Sequence, residues 1–130
     1  HKIIVVVCDN AGFAVIDKLQ RNVGNSSFNN LLADCRRPGD AVPRVDFAMH
    51  ARAQGAGAEK ITTITDFDAA LERARLSKVS YAIVVDIDAS RWSSCDCWWD
   101  VGLPEVPQSP AHEQAVADWN QGRHLQRPGN

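Results

Sequence analysis

Ile3-Ile4-Val5-Val6-Val7-Cys8-Asp9-Asn10-Ala11-Gly12-Phe13 is the stretch whose reading decides the fold. An apolar run ends abruptly in two polar side chains, and a glycine follows two residues on. A run this apolar suits a parallel strand buried on both faces. In such sheets ligands bind just outside the carboxyl ends of the strands. Asp9, Asn10 and Gly12 stand at that edge. All three can offer oxygen to a hard cation, Gly12 only through its backbone carbonyl.

Outward from this corner, strands and helices alternate. The first strand is expected over Lys2 to Cys8. Asp9 to Arg44 reads as long and irregular, except that Phe13, Ile16, Leu19 and Val23 recur at helical spacing and predict a helix over Phe13 to Asn22. Asn22 to Asn30 is rich in Asn, Ser and Gly and reads as loop. Val45 to Gln54 reads as a helix, with Pro43 before it, Asp46 in its first turn and Gly55 ending it. Glu59 to Thr63 is a short strand. Thr65 is expected to cap the next helix, with Asp66 and Asp68 in its first turn and Phe67, Ala70, Leu71 and Ala74 as its apolar stripe. Tyr81 to Ile87 is a second buried strand. This order implies an α/β fold, a three-layer parallel sheet with helices on its faces.

The last forty residues change character. Trp92, Trp98, Trp99 and Trp119 all fall there, with prolines at 104, 107, 110 and 128. Ser109-Pro110 starts a helix expected to run to Gln121. Residues 1–90 therefore read as the α/β body. Residues 91–130 read as a Trp/Pro-rich C-terminal tail that packs on the body or on a neighbouring domain.

The chain has 130 residues, enough for one domain with a real core. Its net charge of −2 argues against a nucleic-acid surface, and no apolar run approaches a membrane span. A soluble, cytoplasmic protein is the expectation. Cys8, inside the apolar run, is expected as a small buried hydrophobe. Cys95 and Cys97 form Cys-x-Cys, not the Cys-x-x-Cys half of a zinc site. A central strand needs neighbours on both sides, yet here it opens the chain at His1. That suggests a fragment with upstream chain missing.

Asp9-Asn10-Ala11-Gly12 admits two readings. In one, Asp and Asn turn the chain and Gly12 supplies a permissive backbone. In the other, the Asn10 side chain and the Gly12 carbonyl hold Mg²⁺, which in turn holds a diphosphate. The segment resembles the second half of the thiamine-diphosphate-binding motif, which opens with Gly-Asp-Gly and closes with Asn-Asn or Asp-Asn at a strand end. Several stretches further resemble the C-terminal part of the trihydroxycyclohexane-1,2-dione hydrolases, thiamine-diphosphate-dependent enzymes of myo-inositol catabolism. These are His1 to Ile16, Phe28 to Cys35, Val45 to Arg52, and Trp98 to Val106, which holds Trp-Trp-Asp-Val.

The resemblance implies the later part of a thiamine-diphosphate-binding domain. It implies Asp9, Asn10, Gly12 and Phe13 as cofactor-binding residues, with Asn10 and Gly12 on the metal. Asp9 stands where the family more often has Asn, and the Gly-Asp-Gly half is absent from these 130 residues. The implied cofactors are thiamine diphosphate and Mg²⁺. The implied chemistry is cleavage of a carbon–carbon bond in a cyclic dione, with water completing ring opening. The implied assembly is a homodimer or homotetramer with the cofactor at a subunit interface, where the activating glutamate comes from another domain. Glu59, Glu72, Glu105 and Glu113 are not cast in that role, and no catalytic residue is assigned within the chain. The alternatives are an acetolactate-synthase-like carboligase or decarboxylase, and a non-catalytic α/β interaction module.

Other polar residues are assigned bland roles. His50 is expected to be a helix-face histidine satisfied by a neighbour. Asn29-Asn30 follows no strand and is not the metal site, although Phe28 to Leu32 can border the substrate pocket. Arg36 and Arg37 are expected to be solvated. Asp86 and Asp88 are read as structural, because they lie far along the chain from the corner.

Overall fold

A computed structural model describes residues 1–92 and 102–126. Three parallel strands, β1 (Ile4–Asp9), β2 (Gly57–Ile61) and β3 (Tyr81–Asp86), form a sheet in the order β1-β3-β2. The helices are α1 (Ala14–Asn22), α2 (Phe47–Ala53), α3 (Ile64–Leu76) and α4 (Pro110–Leu125), and a 3₁₀ turn spans Leu32–Cys35. The expected α/β fold with a parallel, helix-flanked sheet is what forms.

The central place belongs to β3. Its side chains alternate between two covered faces. Ile83 packs with Ile61 of β2 and with Ala70 and Ala74 of α3, and Phe67, Leu71 and Val85 close around this core. The two alanines are fully buried and let α3 approach the sheet closely. The expected apolar stripe of α3 is therefore the face it buries. On the opposite face α2 packs over β2 and β3, with Ala48 buried.

By contrast β1 is an edge strand, and the expectation that it is buried on both faces fails. Val5 and Val6 are 41% and 42% exposed. Neither α2 nor α3 reaches far enough across the sheet to cover β1. Cys8 is exposed for the same reason, not buried.

Local signals shifted several boundaries. The first strand runs to Asp9, one residue past its expected end, because Ile87 N–H donates to the Asp9 carbonyl at 2.9 Å and extends the pairing. The second strand begins two residues early. Thr63, not Thr65, caps α3, since its hydroxyl accepts from the Asp66 N–H at 3.0 Å. Asp46 lies just outside α2 as its cap, accepting from Met49 N–H at 2.8 Å. Within α1 the buried residues are Ala14 and Asp17, while Phe13 and Ile16 face outward, so its apolar spacing does not mark the buried side. Asp17 is instead held by Ser27 and Arg21, which ties the following loop to the helix.

Two latches close the body. The Lys2 ammonium donates to the carbonyls of Ala74, Arg75 and Ser77 at 3.1, 2.6 and 2.9 Å, placing a cation on the negative end of α3. The Arg73 guanidinium forks onto Glu59 at 2.9 and 2.6 Å, and the Tyr81 hydroxyl donates to the same carboxylate at 2.9 Å. These contacts join α3, β2 and β3. Ser109 caps α4, which runs to Leu125, four residues beyond its expected end. His112 meets Asn25 at 3.2 Å, and Gly24 lies so close to Ala111 that a Cβ there would stand 2.7 Å from its carbonyl oxygen. Trp92 stacks under the Lys18 ammonium at 4.6 Å. Cys95, Cys97, Trp98 and Trp99 lie outside the described residues. Among the described residues no helix is long and apolar enough to cross a membrane.

Ile83 is fully buried in the core, so Ile83→Ala should cost about 2–5 kcal/mol in urea unfolding. A second test follows from Glu59, whose carboxyl is held below its ordinary 4.5 chiefly by the Arg73 hydrogen bond and also by that of Tyr81, against an opposing burial effect. A depressed folded pKa contributes stability that is present above the unfolded value and lost as pH falls through the folded one. The melting temperature of the parent should therefore fall below pH 4.5, and the fall should be shallower in Glu59→Gln.

Candidate functional site

The site is built where β1 leaves the sheet. Asp9, its last residue, is only 7% exposed and pairs in register with Asp86, the last residue of β3. One carboxylate oxygen of Asp9, Oδ1, accepts from the Ala11 N–H at 2.8 Å, which folds the chain back on itself in an Asx turn. Ala11 adopts a left-handed φ of +58°, uncommon for a residue with a Cβ. Gly12 follows at φ +151°.

Glycine is required here by space as well as by conformation. A Cβ on Gly12 would lie 2.5 Å from the Asn30 oxygen and 2.8 Å from Leu31 Cα. The cause is an antiparallel bridge between Gly12 and Leu31. Phe13 N–H donates to the Asn30 carbonyl at 2.7 Å, and Leu32 N–H donates to the Ala11 carbonyl at 2.8 Å. The 23–31 loop is itself pinned to α1, since Gln20 accepts from the Asn30 amide and donates to the Ser26 carbonyl. Asn30 and Leu31 lie against the turn at Ala11 to Phe13. Their part is to clamp that corner from outside.

An open cleft of about 380 Å³ lies beside the turn. Asn10, Gly12, Phe13, Leu32, Val45 and Phe47 line it. Phe13 is 73% exposed, so its ring offers an apolar surface at the cleft wall. Phe28 to Leu32 thus reaches the cleft through Leu32. A groove of about 420 Å³ between β1 and α2 is lined mainly by apolar side chains. Of its polar members, His50 and Gln54 engage each other at 3.1 Å, Ser80 accepts from the Ile3 N–H at 3.2 Å, and the Tyr81 hydroxyl donates to Glu59 at 2.9 Å. His50 is satisfied by a neighbour on its helix, as expected, and no convergent polar groups mark that groove as reactive.

Among the described residues, neither the Asn10 side chain nor the Gly12 carbonyl has a hydrogen-bond partner. Both are neutral oxygen donors, the type Mg²⁺ accepts while keeping room for phosphate and water. The described residues hold no group of three or more His, Cys, Asp or Glu able to bind a metal. The two neutral oxygens fit part of a hard-cation site and not a complete protein cage. Asp9, Asn10, Gly12 and Phe13 are brought together at one strand end, with Phe13 starting the turn into α1.

The sequence reading missed a charge cluster. Arg44 Nη2 lies 2.8 Å from Asp86 Oδ1 and 3.4 Å from Asp9 Oδ2, and Lys60 Nζ lies 2.8 Å from Asp86 Oδ2. The Lys60 hydrogen bond is the largest effect holding the Asp86 carboxyl below the usual aspartate range; burial opposes it, and the attraction of Lys60 and then of Arg44 adds to the lowering. The signal that would have found it is the repeated ending of two apolar strands, Val-Val-Cys-Asp and Ile-Val-Val-Asp, which a parallel register sets side by side. Arg44 and Asp86 are both more than 40% exposed in their side chains, so this ion pair contributes only ~0–1 kcal/mol. Its importance lies in placement.

The family described as "Thiamine pyrophosphate enzyme, C-terminal TPP binding domain" matches residues 1–87. Among curated proteins, 3D-(3,5/4)-trihydroxycyclohexane-1,2-dione hydrolase of Bacillus licheniformis is 34% identical over 115 residues, covering 88% of this chain and 18% of that protein. The protein of the same name from Bacillus subtilis is 31% identical with the same coverage. That from Lacticaseibacillus casei is 31% identical over 123 residues, covering 93% of this chain and 19% of that protein. The chain thus spans less than a fifth of the length of these relatives. No solved structure matches it.

Gly12→Ala should break the bridge to Leu31 or force the turn to another backbone, at a cost of about 1–3 kcal/mol. Amide exchange at Phe13 and Leu32 should accelerate in the variant, while β3 amides stay protected.

Proposed function

Because this chain belongs to the thiamine pyrophosphate enzymes, as part of their C-terminal cofactor-binding domain, we propose that its strand-end corner anchors the diphosphate of thiamine diphosphate through Mg²⁺. Asn10 supplies a side-chain oxygen to the metal and Gly12 a backbone carbonyl. Asp9 holds the turn that presents them, and Phe13 walls the cleft beside the cofactor. The observation that carries this reading is a pair of oxygens on a built turn, at the carboxyl end of a parallel strand, with no hydrogen-bond partner among the described residues. When bound, thiamine diphosphate supplies an electron sink for breaking a carbon–carbon bond.

The whole protein is proposed to hydrolyse a cyclic 1,2-dione of inositol breakdown, an assignment supported by the names of its relatives. A homodimer or homotetramer with the cofactor between subunits is proposed with it. The exposed apolar edge of β1 supports packing against further polypeptide.

The complete protein, supplied with thiamine diphosphate and Mg²⁺, should open the cyclic dione and leave pyruvate untouched. Turnover of pyruvate without dione hydrolysis would replace this reading with a carboligase. Asn10→Ala should raise the Mg²⁺ concentration for half-maximal activity about tenfold or more. The isolated 130-residue chain should show little or no thiamine diphosphate binding in calorimetry. Micromolar binding there would mean that the corner suffices alone and that the shared metal site is misread.

A further inference from the structure

We propose that Arg44 is a positioning residue for the metal corner. Its guanidinium carries the segment before α2 onto Asp9 and so sets the direction in which Asn10 is presented. The inference rests on the reading of Asn10 and Gly12 as metal ligands.

The two oxygens of Asp9 have separate tasks. Oδ1 accepts from the Ala11 N–H and closes the turn that contains Asn10. Oδ2 faces Arg44 Nη2 at 3.4 Å. The same nitrogen lies 2.8 Å from Asp86 Oδ1, so one group spans the ends of two neighbouring strands. Asp86 also has Lys60, at 2.8 Å, and keeps a cation if Arg44 is removed. Asp9 is buried, and its other contact is a backbone amide. A buried carboxylate that loses its cation must move toward water or find another partner. Any such movement drags the Ala11 turn, and Asn10 lies inside that turn. Arg44 also directly precedes Val45, which lines the cleft with Phe47, so the latch sets the opposite wall as well.

The test uses the complete protein with saturating thiamine diphosphate. Mg²⁺ affinity is measured by calorimetry, and hydrogen exchange is followed over residues 36–46. Arg44→Gln should weaken Mg²⁺ about tenfold, and Arg44→Lys should recover most of the loss. Asp9→Ala removes both the acceptor of the Ala11 N–H and the charge that meets Arg44. It should weaken Mg²⁺ at least as much as Arg44→Gln, and the double variant should be little worse than Asp9→Ala alone. If Arg44→Gln leaves Mg²⁺ affinity unchanged while exchange over 36–46 rises, Arg44 is only a strap on the loop and the inference fails. If the parent binds no Mg²⁺, or Asn10→Ala binds it as tightly as the parent, the metal reading fails and takes this inference with it.

Discussion

The parallel pairing of β1 with β3 is the contact from which the rest of the structure follows. It runs in register from Ile4 opposite Tyr81 to Asp9 opposite Asp86. Adjacent strands lie roughly 4.8 Å apart, so this register brings two carboxylates side by side at the sheet end. Two bare anions so placed would repel. Arg44 and Lys60 meet them from different elements, one from the segment before α2 and one from β2. The four charges sum to zero. A slip of one residue would turn Asp9 to the other face and dissolve the cluster.

The packed core and the strand-end corner occupy different parts of this sheet. The packed part is the β2–β3–α3 contact, where Ile61, Ile83 and two alanines exclude water and Arg73, Glu59 and Tyr81 lock the rim. The corner hangs from β1, the less covered strand. Its shape is maintained less by apolar burial than by hydrogen bonds, from Asp9 to Ala11 and from the 28–32 segment to Ala11 and Phe13. Regions held in this way open at lower free energy than a packed core does.

The corner also carries its own strain. A left-handed alanine costs on the order of 1–2 kcal/mol. The glycine after it tolerates the approach of Asn30 and Leu31 only because it has no side chain. The bridge to Leu31 and the Asp9 cap offset that cost. The Asn10 side chain and the Gly12 carbonyl are left without hydrogen-bond partners among the described residues.

Much of this was legible along the chain. Ile-Ile-Val-Val-Val followed by Asp-Asn-x-Gly marks a parallel strand and the turn at its carboxyl end. The Phe67, Ala70, Leu71 and Ala74 spacing marks the buried face of α3, and Ser109-Pro110 marks the start of α4. Such signals are local, because backbone periodicity and capping act over a few residues. The exposed side of β1, the outward face of α1, and the meeting of Arg44 with Asp9 and Asp86 were decided elsewhere. Arg44 and Asp86 stand 42 residues apart and become neighbours only once β3 inserts between β1 and β2. Strand order and register depend on which surfaces bury best across the whole domain, and no short stretch of sequence contains that competition.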